Sequence, residues 1–494
     1  MSANFVNLLP IAIVALGAMI SIAVEPFLVN KNKHRVLPWV AASFLFIAAG
    51  SFLFVSQDTL YGLFAMDPIR RLLGLVVIFC AFLGIGGLQA TLAREEYPAG
   101  EPYGLLLLAT SGALIMTQAI DFLSLFIGME LAAYPIYGLV GLRRKDRNAN
   151  EGTFKYFVTG AVFSVIFLYG MALIYGATGS THFSAAIVPG RASLYYAGLL
   201  LALFALLFKA GAAPMHFWVA DVYTGAPVVV TGFMAAVVKV GALAALGSLW
   251  LGSLATEGGL PAVWNLAEEE TVAGAPHKLA LIVIAVAMLS IVIGAFSGLL
   301  QKSVRRIFAF SAVMNAGFIA LGLILPDYVH GGKVQLGPMY FYLITYALAS
   351  AAALTGISSM SGKGDEKETL DALRGRARRK PLEGIATVVA LASLAGLPPL
   401  SGFIAKFTLF AGVVSAGWIA VAAIGFALSV VAVFYYLRIA IALFAPASVE
   451  EANKTCALPS SSVFLLRLGT VAAALMLLGL SVAPAAGLVT MIAE

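Results

Sequence analysis

Four side chains in this 494-residue chain carry a charge where the surrounding sequence is apolar: Glu130, Lys209, Lys239 and Lys406. In such places lysine and glutamate suit one chemistry, the reversible holding of a proton. Burial opposes the charged form of each, and a nearby opposite charge favours it. Moving one partner therefore changes the proton affinity of the other. Lysine suits this task because its amine can give up its proton on burial, which a guanidinium does not do. A charge at the centre of an apolar span costs at least about 2.5–3.5 kcal/mol to insert, so it is read first as functional.

The neighbours sharpen this reading. Lys209 follows the apolar run Leu194 to Phe208, about four helical turns, and precedes Gly211-Ala212-Ala213-Pro214, His216, Trp218 and Asp221. Pro214 removes a backbone donor and clashes with the preceding turn, so the helix is expected to break beside the lysine. In LAGLPPLSGFIAKF, Pro398, Pro399 and Gly402 interrupt a second long span, and Lys406 follows. Exposed backbone at membrane depth is tolerated only inside protein or beside water. A buried amine next to a broken helix therefore suggests an ion path. Glu130 is the only acid of its span, GMELAAYPIYGLVG, where Pro135 is a candidate kink and Tyr134 and Tyr137 are candidates to fill polar gaps. Lys239 has apolar or small neighbours on both sides, too deep for easy snorkelling.

These residues give a working scheme. Separating Glu130 from Lys209 makes the lysine readier to lose its proton, Lys239 passes the proton laterally, and Lys406 exchanges it with the other side. His216, Asn315 and Tyr134 are candidate relay groups. Two readings fit His216, a protonation switch or a cap on the break, and two fit Asn315, a hydrogen-bond relay or a helix contact.

Such residues need a membrane-embedded frame. Apolar residues make up 61% of the chain and charged ones 11%, against about 25% charged in a soluble domain. The mean hydropathy is +0.98. This predicts an all-α polytopic membrane protein. The stretch from Leu8 to Val29 has no basic n-region or clear cleavage site and reads as a first span. Fourteen spans are predicted, near 8–29, 36–56, 69–92, 102–120, 122–141, 154–177, 194–222, 227–251, 279–299, 303–325, 338–359, 382–414, 418–444 and 463–488. Loops after odd-numbered spans hold 21 basic residues and the opposite side 5, which puts both termini outside the cytoplasm. The net charge of +6 thus belongs to short loops and excludes a nucleic-acid partner. Cys80 and Cys456 give neither a disulfide framework nor a metal spacing. The chain shows no dinucleotide fingerprint, phosphate loop or convincing haem ligand pair, so no cofactor is expected in it.

The two interrupted spans, seven and twelve, lie five spans apart. This suggests five-helix repeats, spans four to eight and nine to thirteen, inverted because the number is odd. The expected organisation is an N-terminal three-helix segment (1–100), a first repeat (101–252), a second repeat (278–446) and a last helix (461–494). Smaller expectations follow. Asp67-Pro68 starts a helix, Glu25 is an interfacial carboxylate, Gly160 and Gly170 allow close packing, and Arg438 anchors its helix. Tyr340 and Tyr342 fit an interfacial belt with Tyr346 deeper, and Glu268 to Glu270 form a solvated acidic run.

The stretches GMELAAYPIYGLVG, FKAGAAPMHFWVADVYTGAP, VVKVGA, SVRRIFAFSAVMNAGFI and LAGLPPLSGFIAKF carry a resemblance. The chain resembles the proton-pumping membrane subunits of respiratory complex I, bacterial NADH–quinone oxidoreductase, a family related to Mrp-type sodium/proton antiporters. Lys406, the length and the lack of a long lateral C-terminal helix point to the N-type group. The resemblance implies that Glu130, Lys209, Lys239 and Lys406 carry proton translocation through two linked half-channels. It also implies that NADH, FMN, iron–sulfur clusters and quinone are bound by partner subunits, and that the chain works with other membrane and peripheral subunits, among lipids, in the bacterial inner membrane with periplasmic termini. Two departures stand out: Asn315 where the family usually has histidine, and Ala220 where it commonly has proline. An Mrp-like cation/proton antiporter subunit, a subunit of a ferredoxin- or hydrogenase-driven complex, and a non-pumping scaffold are the alternatives.

Overall fold

The computed structural model describes residues 5–28, 30–95, 100–254, 275–327, 333–334, 336–361, 369–446 and 460–482. The acidic run Glu268 to Glu270 and Cys456 lie outside them. The described chain is almost entirely helical. In order, the helices are α1 (Leu9–Val24), α2 (Asn30–Ser51), α3 (Pro68–Glu95), α4 (Glu101–Gln118), α5 (Phe122–Val140), α6 (Arg147–Thr178), α7 (Ala192–Ala210), α8 (Val219–Gly225), α9 (Val228–Phe233), α10 (Lys239–Leu254), α11 (Ala275–Leu300), α12 (Val304–Leu321), α13 (Gly337–Met360), α14 (Arg376–Arg379), α15 (Pro381–Ala395), α16 (Ser401–Ser415), α17 (Ile419–Phe444) and α18 (Ser460–Val482). Two short antiparallel hairpins, Thr59–Leu60 with Phe64–Ala65 and Pro326–Asp327 with Lys333–Val334, are the only paired strands among the described residues.

Eleven stretches of helix among the described residues are long and apolar enough to cross a membrane. One of them is α7 with α8 across its break, and another is α9 with α10. The halves α15 and α16 are shorter apolar helices. This is a polytopic all-α membrane protein. Local chemistry sets the helix ends. Asp67 accepts from the Arg70 amide at 2.7 Å and so caps α3 as expected. Asp121 accepts from the Leu123 and Ser124 amides and starts α5, and Asp146 does the same for α6 through Asn148. Pro135 lies inside α5, which continues through it.

Burial sorts the helices. α12, α13 and the stretch from Val228 to Ser253 are buried almost all round, whereas α1, α6, α17 and α18 expose apolar side chains. Close approaches rely on glycine, because there is no hydrophobic drive between helices in lipid. A Cβ at Gly170 would lie 2.7 Å from the Gly198 carbonyl oxygen, and a Cβ at Gly198 would lie 2.6 Å from the Gly170 oxygen. Gly170→Val is therefore expected to destabilise the α6–α7 contact by about 1–3 kcal/mol. The check is a lower thermal midpoint and lower abundance of the chain in detergent extracts. An unchanged midpoint would mean that the helices part without penalty.

Arginines, three of them buried and Arg438 part-buried, close several helix ends. Arg143 donates to the carbonyls of Gly225 (2.6 Å) and Thr224 (3.3 Å), and Arg305 to that of Ala226 (2.8 Å). Arg94 donates to the Ser358 and Ser361 carbonyls at the end of α13. Arg438 donates to the carbonyls of Leu299 (2.6 Å), in the last turn of α11, and Gln301 (3.0 Å), just past it, which fits the anchoring expected of it. A cation there satisfies the last carbonyls and complements the helix dipole. Glu25 pairs with Lys33 at 3.4 Å, both part-exposed, as an interfacial carboxylate would.

The tyrosines of α13 differ from expectation. Tyr340 and Tyr342 are buried within the chain, at 5% and 3% exposure, and form no outward belt. The reason is that α13 is packed on all sides, by α3, α9, α10, α12, α15, α16 and α18.

Candidate functional site

The two helix breaks have the same construction. At the end of α7, Gly211 is left-handed (φ +72°), its amide donates to the Phe208 carbonyl, and the Ala212 amide donates to the Leu207 carbonyl. At the end of α15, Gly396 is left-handed (φ +78°), its amide donates to the Ser393 carbonyl, and the Leu397 amide donates to the Ala392 carbonyl. Both are the paired 5→2 and 6→1 closure that needs a residue without a Cβ penalty. Three residues after each glycine stands a cis proline, Pro214 after Ala213 and Pro399 after Pro398. The chain then re-enters helix at Val219 and at Ser401. Gly402 sits so close to α15 that a Cβ there would collide with the Ser393 carbonyl oxygen.

Lys209 is on the last turn of α7, 3% exposed, and its Nζ has no hydrogen-bond partner among the described residues. Glu130 of α5 is the charge that acts on it electrostatically. The Glu130 carboxylate is held elsewhere: Ser164 Oγ of α6 donates to it at 2.5 Å. Nothing in the sequence singled out Ser164, a small polar residue on the buried stripe of α6.

Lys239 opens α10 directly after a π-helical turn, Met234–Val238. Such turns gather at functional sites because they displace the side chains after them. Its Nζ donates to the Ala312 carbonyl of α12 and lies 5.6 Å over the ring centroid of Tyr346 on α13, within cation–π range. Lys406 of α16, 6% exposed, donates to the Leu394 (3.1 Å) and Ala395 (3.0 Å) carbonyls at the end of α15. The partial negative charge of that helix end favours a cation. The break thus supplies the acceptors that hold the lysine.

The helices bearing these lysines form a row: α7 packs on α10, α10 on α13, and α13 on α16. Lys209, Lys239 and Lys406 are therefore buried residues on helices of one packed series, and α6 packs against both α7 and the α5 that bears Glu130. The other sequence candidates fall differently. Asn315 is buried in the row's second half. Its amide donates to the Ser311 carbonyl (2.8 Å) and to Tyr436 Oη (3.3 Å), and its Oδ1 accepts from the Tyr342 hydroxyl at 2.9 Å. His216 lies in the turn of the first break and lines a cavity with Asp221 and Arg306. Asp221 itself pairs with Lys155 at 2.6 Å, tying α8 to α6. Tyr134 faces away from the cluster, at 60% exposure, and only Tyr137 turns inward, packing on Gly160.

The fold and this buried row define a polytopic membrane protein built around ionisable groups beside two broken helices. The family described as NADH:quinone oxidoreductase/Mrp antiporter, TM, matches residues 119–257 and 267–432, and the chain belongs to that family. It is 32% identical over 442 residues to NADH-quinone oxidoreductase subunit N 2 of Rhizobium meliloti (strain 1021), covering 88% of this chain and 87% of that one. Among solved structures, a chain of respiratory complex I from Thermus thermophilus with bound Aureothin is 32% identical, with a TM-score of 0.78 over 97% of this chain and 98% of that one. A chain of the Mrp complex from Dietzia sp. DQ12-45-1b shares the fold at 22% identity, with a TM-score of 0.81 over 100% of this chain and 97% of that one.

Proposed function

We propose that this chain is the N-type membrane subunit of an NADH–quinone oxidoreductase, and that it translocates protons while electrons pass through other subunits. The observation that carries this reading is the row Lys209, Lys239, Lys406 on successively packed helices, with two of the three lysines beside breaks of one construction. Three buried amines are a heavy desolvation burden for a purely structural role.

Each residue has a part. Glu130 controls Lys209: drawn to Ser164, it leaves the amine readier to release its proton, and drawn back it favours the ammonium. Lys239 receives the proton laterally, and Lys406 exchanges it with the far side of the membrane. His216, in the cavity with Asp221 and Arg306, serves the first break. NADH, FMN, iron–sulfur clusters and quinone belong to partner subunits on this reading, and the other membrane and peripheral subunits are its contacts. The shared construction of the breaks supports two inverted five-helix repeats, 101–252 and 278–446, between a 1–100 segment and a last helix 461–494. Counting α2, α4 and the pair α15–α16 with the eleven long helices gives fourteen spans. The basic bias then puts both termini on the periplasmic side of the inner membrane.

The test uses inside-out membrane vesicles from cells carrying a tagged copy of the chain. NADH oxidation is expected to acidify the vesicle interior in sodium-free buffer, and the tag is expected to retrieve NADH–quinone reductase activity. A strict sodium requirement would move the assignment to a cation/proton antiporter. A preparation that retrieves no NADH-oxidising activity would overturn the oxidoreductase reading.

A further inference from the structure

Lys239 and Lys406 belong to α10 and α16, and both helices pack against α13. What α13 offers between the two lysines is tyrosine. Tyr346 carries the Lys239 ammonium over its ring at 5.6 Å. It also lines a small cavity together with Lys406, Tyr342 and Asn315. The cavity leaves about 10 Å³ of room for the centre of a water molecule, space for roughly one water. Tyr342 lies one helical turn before Tyr346, and both are 3% exposed. The Tyr342 hydroxyl donates to Asn315 Oδ1 at 2.9 Å. Asn315 is pinned in turn by the Ser311 carbonyl and Tyr436, whose hydroxyls also meet each other. An amide in this place takes up no proton of its own. It fixes where its neighbour's hydroxyl points.

We propose that Tyr342 and Tyr346 form the proton bridge between Lys239 and Lys406, and that Asn315 is the positioning residue that orients the Tyr342 hydroxyl. This rests on the proton-translocating reading above. A phenol is donor and acceptor at once, so it passes a proton without ionising. The Lys239 ammonium releases one proton and keeps the electron pair as a neutral amine. The tyrosine oxygen nearest to it gains that proton as its own O–H bond breaks and its proton moves on. The second tyrosine, with a water in the cavity between, does the same. The lone pair of a neutral Lys406 amine accepts the last proton and becomes the ammonium. One O–H forms for each that breaks, and one positive charge has moved. Because Asn315 Oδ1 holds the Tyr342 proton, the oxygen's lone pairs are left to accept from the cavity side. Transfer then requires that hydroxyl to turn, which gives the bridge a resting polarity.

The experiment is the assembled complex in proteoliposomes with Tyr342→Phe and Tyr346→Phe together, measured beside Lys209→Ala. Phenylalanine keeps the rings and removes only the hydroxyls. Coupled turnover is expected to fall by about tenfold or more, with a larger solvent deuterium isotope effect because proton transfer becomes slow. Tyr342→His replaces one proton-passing group by another. It is expected to keep pumping and to make turnover newly dependent on pH between about 5 and 8, where imidazole titrates. Wild-type turnover and isotope effect in the double phenylalanine variant, while Lys209→Ala does lose pumping, overturns the bridge and leaves the parent reading standing. Wild-type pumping in Lys209→Ala instead withdraws the role assigned to Lys209 on which the parent reading rests. Loss of turnover in Tyr342→His with the wild-type pH profile would assign Tyr342 to packing and also overturns the bridge.

Discussion

In the reconstituted parent complex, with assembly verified by mass, Lys209→Ala is expected to lower the protons taken up per electron and to slow coupled turnover by about tenfold or more, each factor of ten being about 1.4 kcal/mol of barrier. The size of the effect follows from its place. Lys209 Nζ is buried on the last turn of α7 with no hydrogen-bond partner among the described residues, so the side chain has no structural bond to lose. Its removal deletes a charge site at the head of the row and leaves the helix closure at Gly211, which is made by backbone, intact. A scaffold role predicts the opposite pattern, with reduced assembly and unchanged stoichiometry. Ser164→Ala is the companion variant. It removes the hydroxyl that holds Glu130 and is expected to shift Glu130 toward Lys209, slowing turnover while leaving assembly unchanged. Normal stoichiometry and rate in Lys209→Ala would withdraw its assigned role.

The second large effect is expected at Lys406. Lys406→Arg should assemble and retain a cation at the end of α15, yet lose proton uptake through this chain. The ammonium is held by two carbonyls, Leu394 and Ala395, that the helix break leaves without amide partners. A guanidinium also satisfies carbonyls, but it does not release its proton at any working pH. The variant therefore separates holding the charge from exchanging it. Lys406→Ala removes both and leaves buried acceptors unsatisfied, at a cost of about 1–3 kcal/mol. The space is tight, since a Cβ at Gly396 would already lie 2.9 Å from Lys406 Cδ. Proton uptake per electron and the thermal midpoint in detergent are the two readouts. Normal uptake in Lys406→Arg would show that Lys406 never needs to give up its proton.

Both variants act on residues that stand out in the sequence itself. A lysine between apolar runs is conspicuous because hydrocarbon tolerates so few charges. Lys209, Lys239 and Lys406 are therefore visible without coordinates, as are the breaks at Pro214 and at Pro398-Pro399, since proline and glycine act on the backbone within a few residues of themselves. The long apolar helices and the cap at Asp67 are equally local. Even the likeness of the two breaks begins in sequence, in the glycine three residues before a proline at each, although the left-handed closure shared by Gly211 and Gly396 emerges only from the backbone geometry.

What only the tertiary structure decided is direction around the helix axis. Tyr342 and Tyr346 turn into the protein beside Lys406, and Tyr134 turns out of it. Glu130 is held by Ser164 on the neighbouring helix, and Asn315 ties Tyr342 to Tyr436 across α12, α13 and α17. A helix that meets water on one side announces its inner face through its polar residues. α13 is buried on every side, and its tyrosines, threonines and serines mark no single polar face, so its sequence carries little asymmetry from which an inner face can be read. The choice is made by which helices pack around it, and that depends on residues hundreds of positions away.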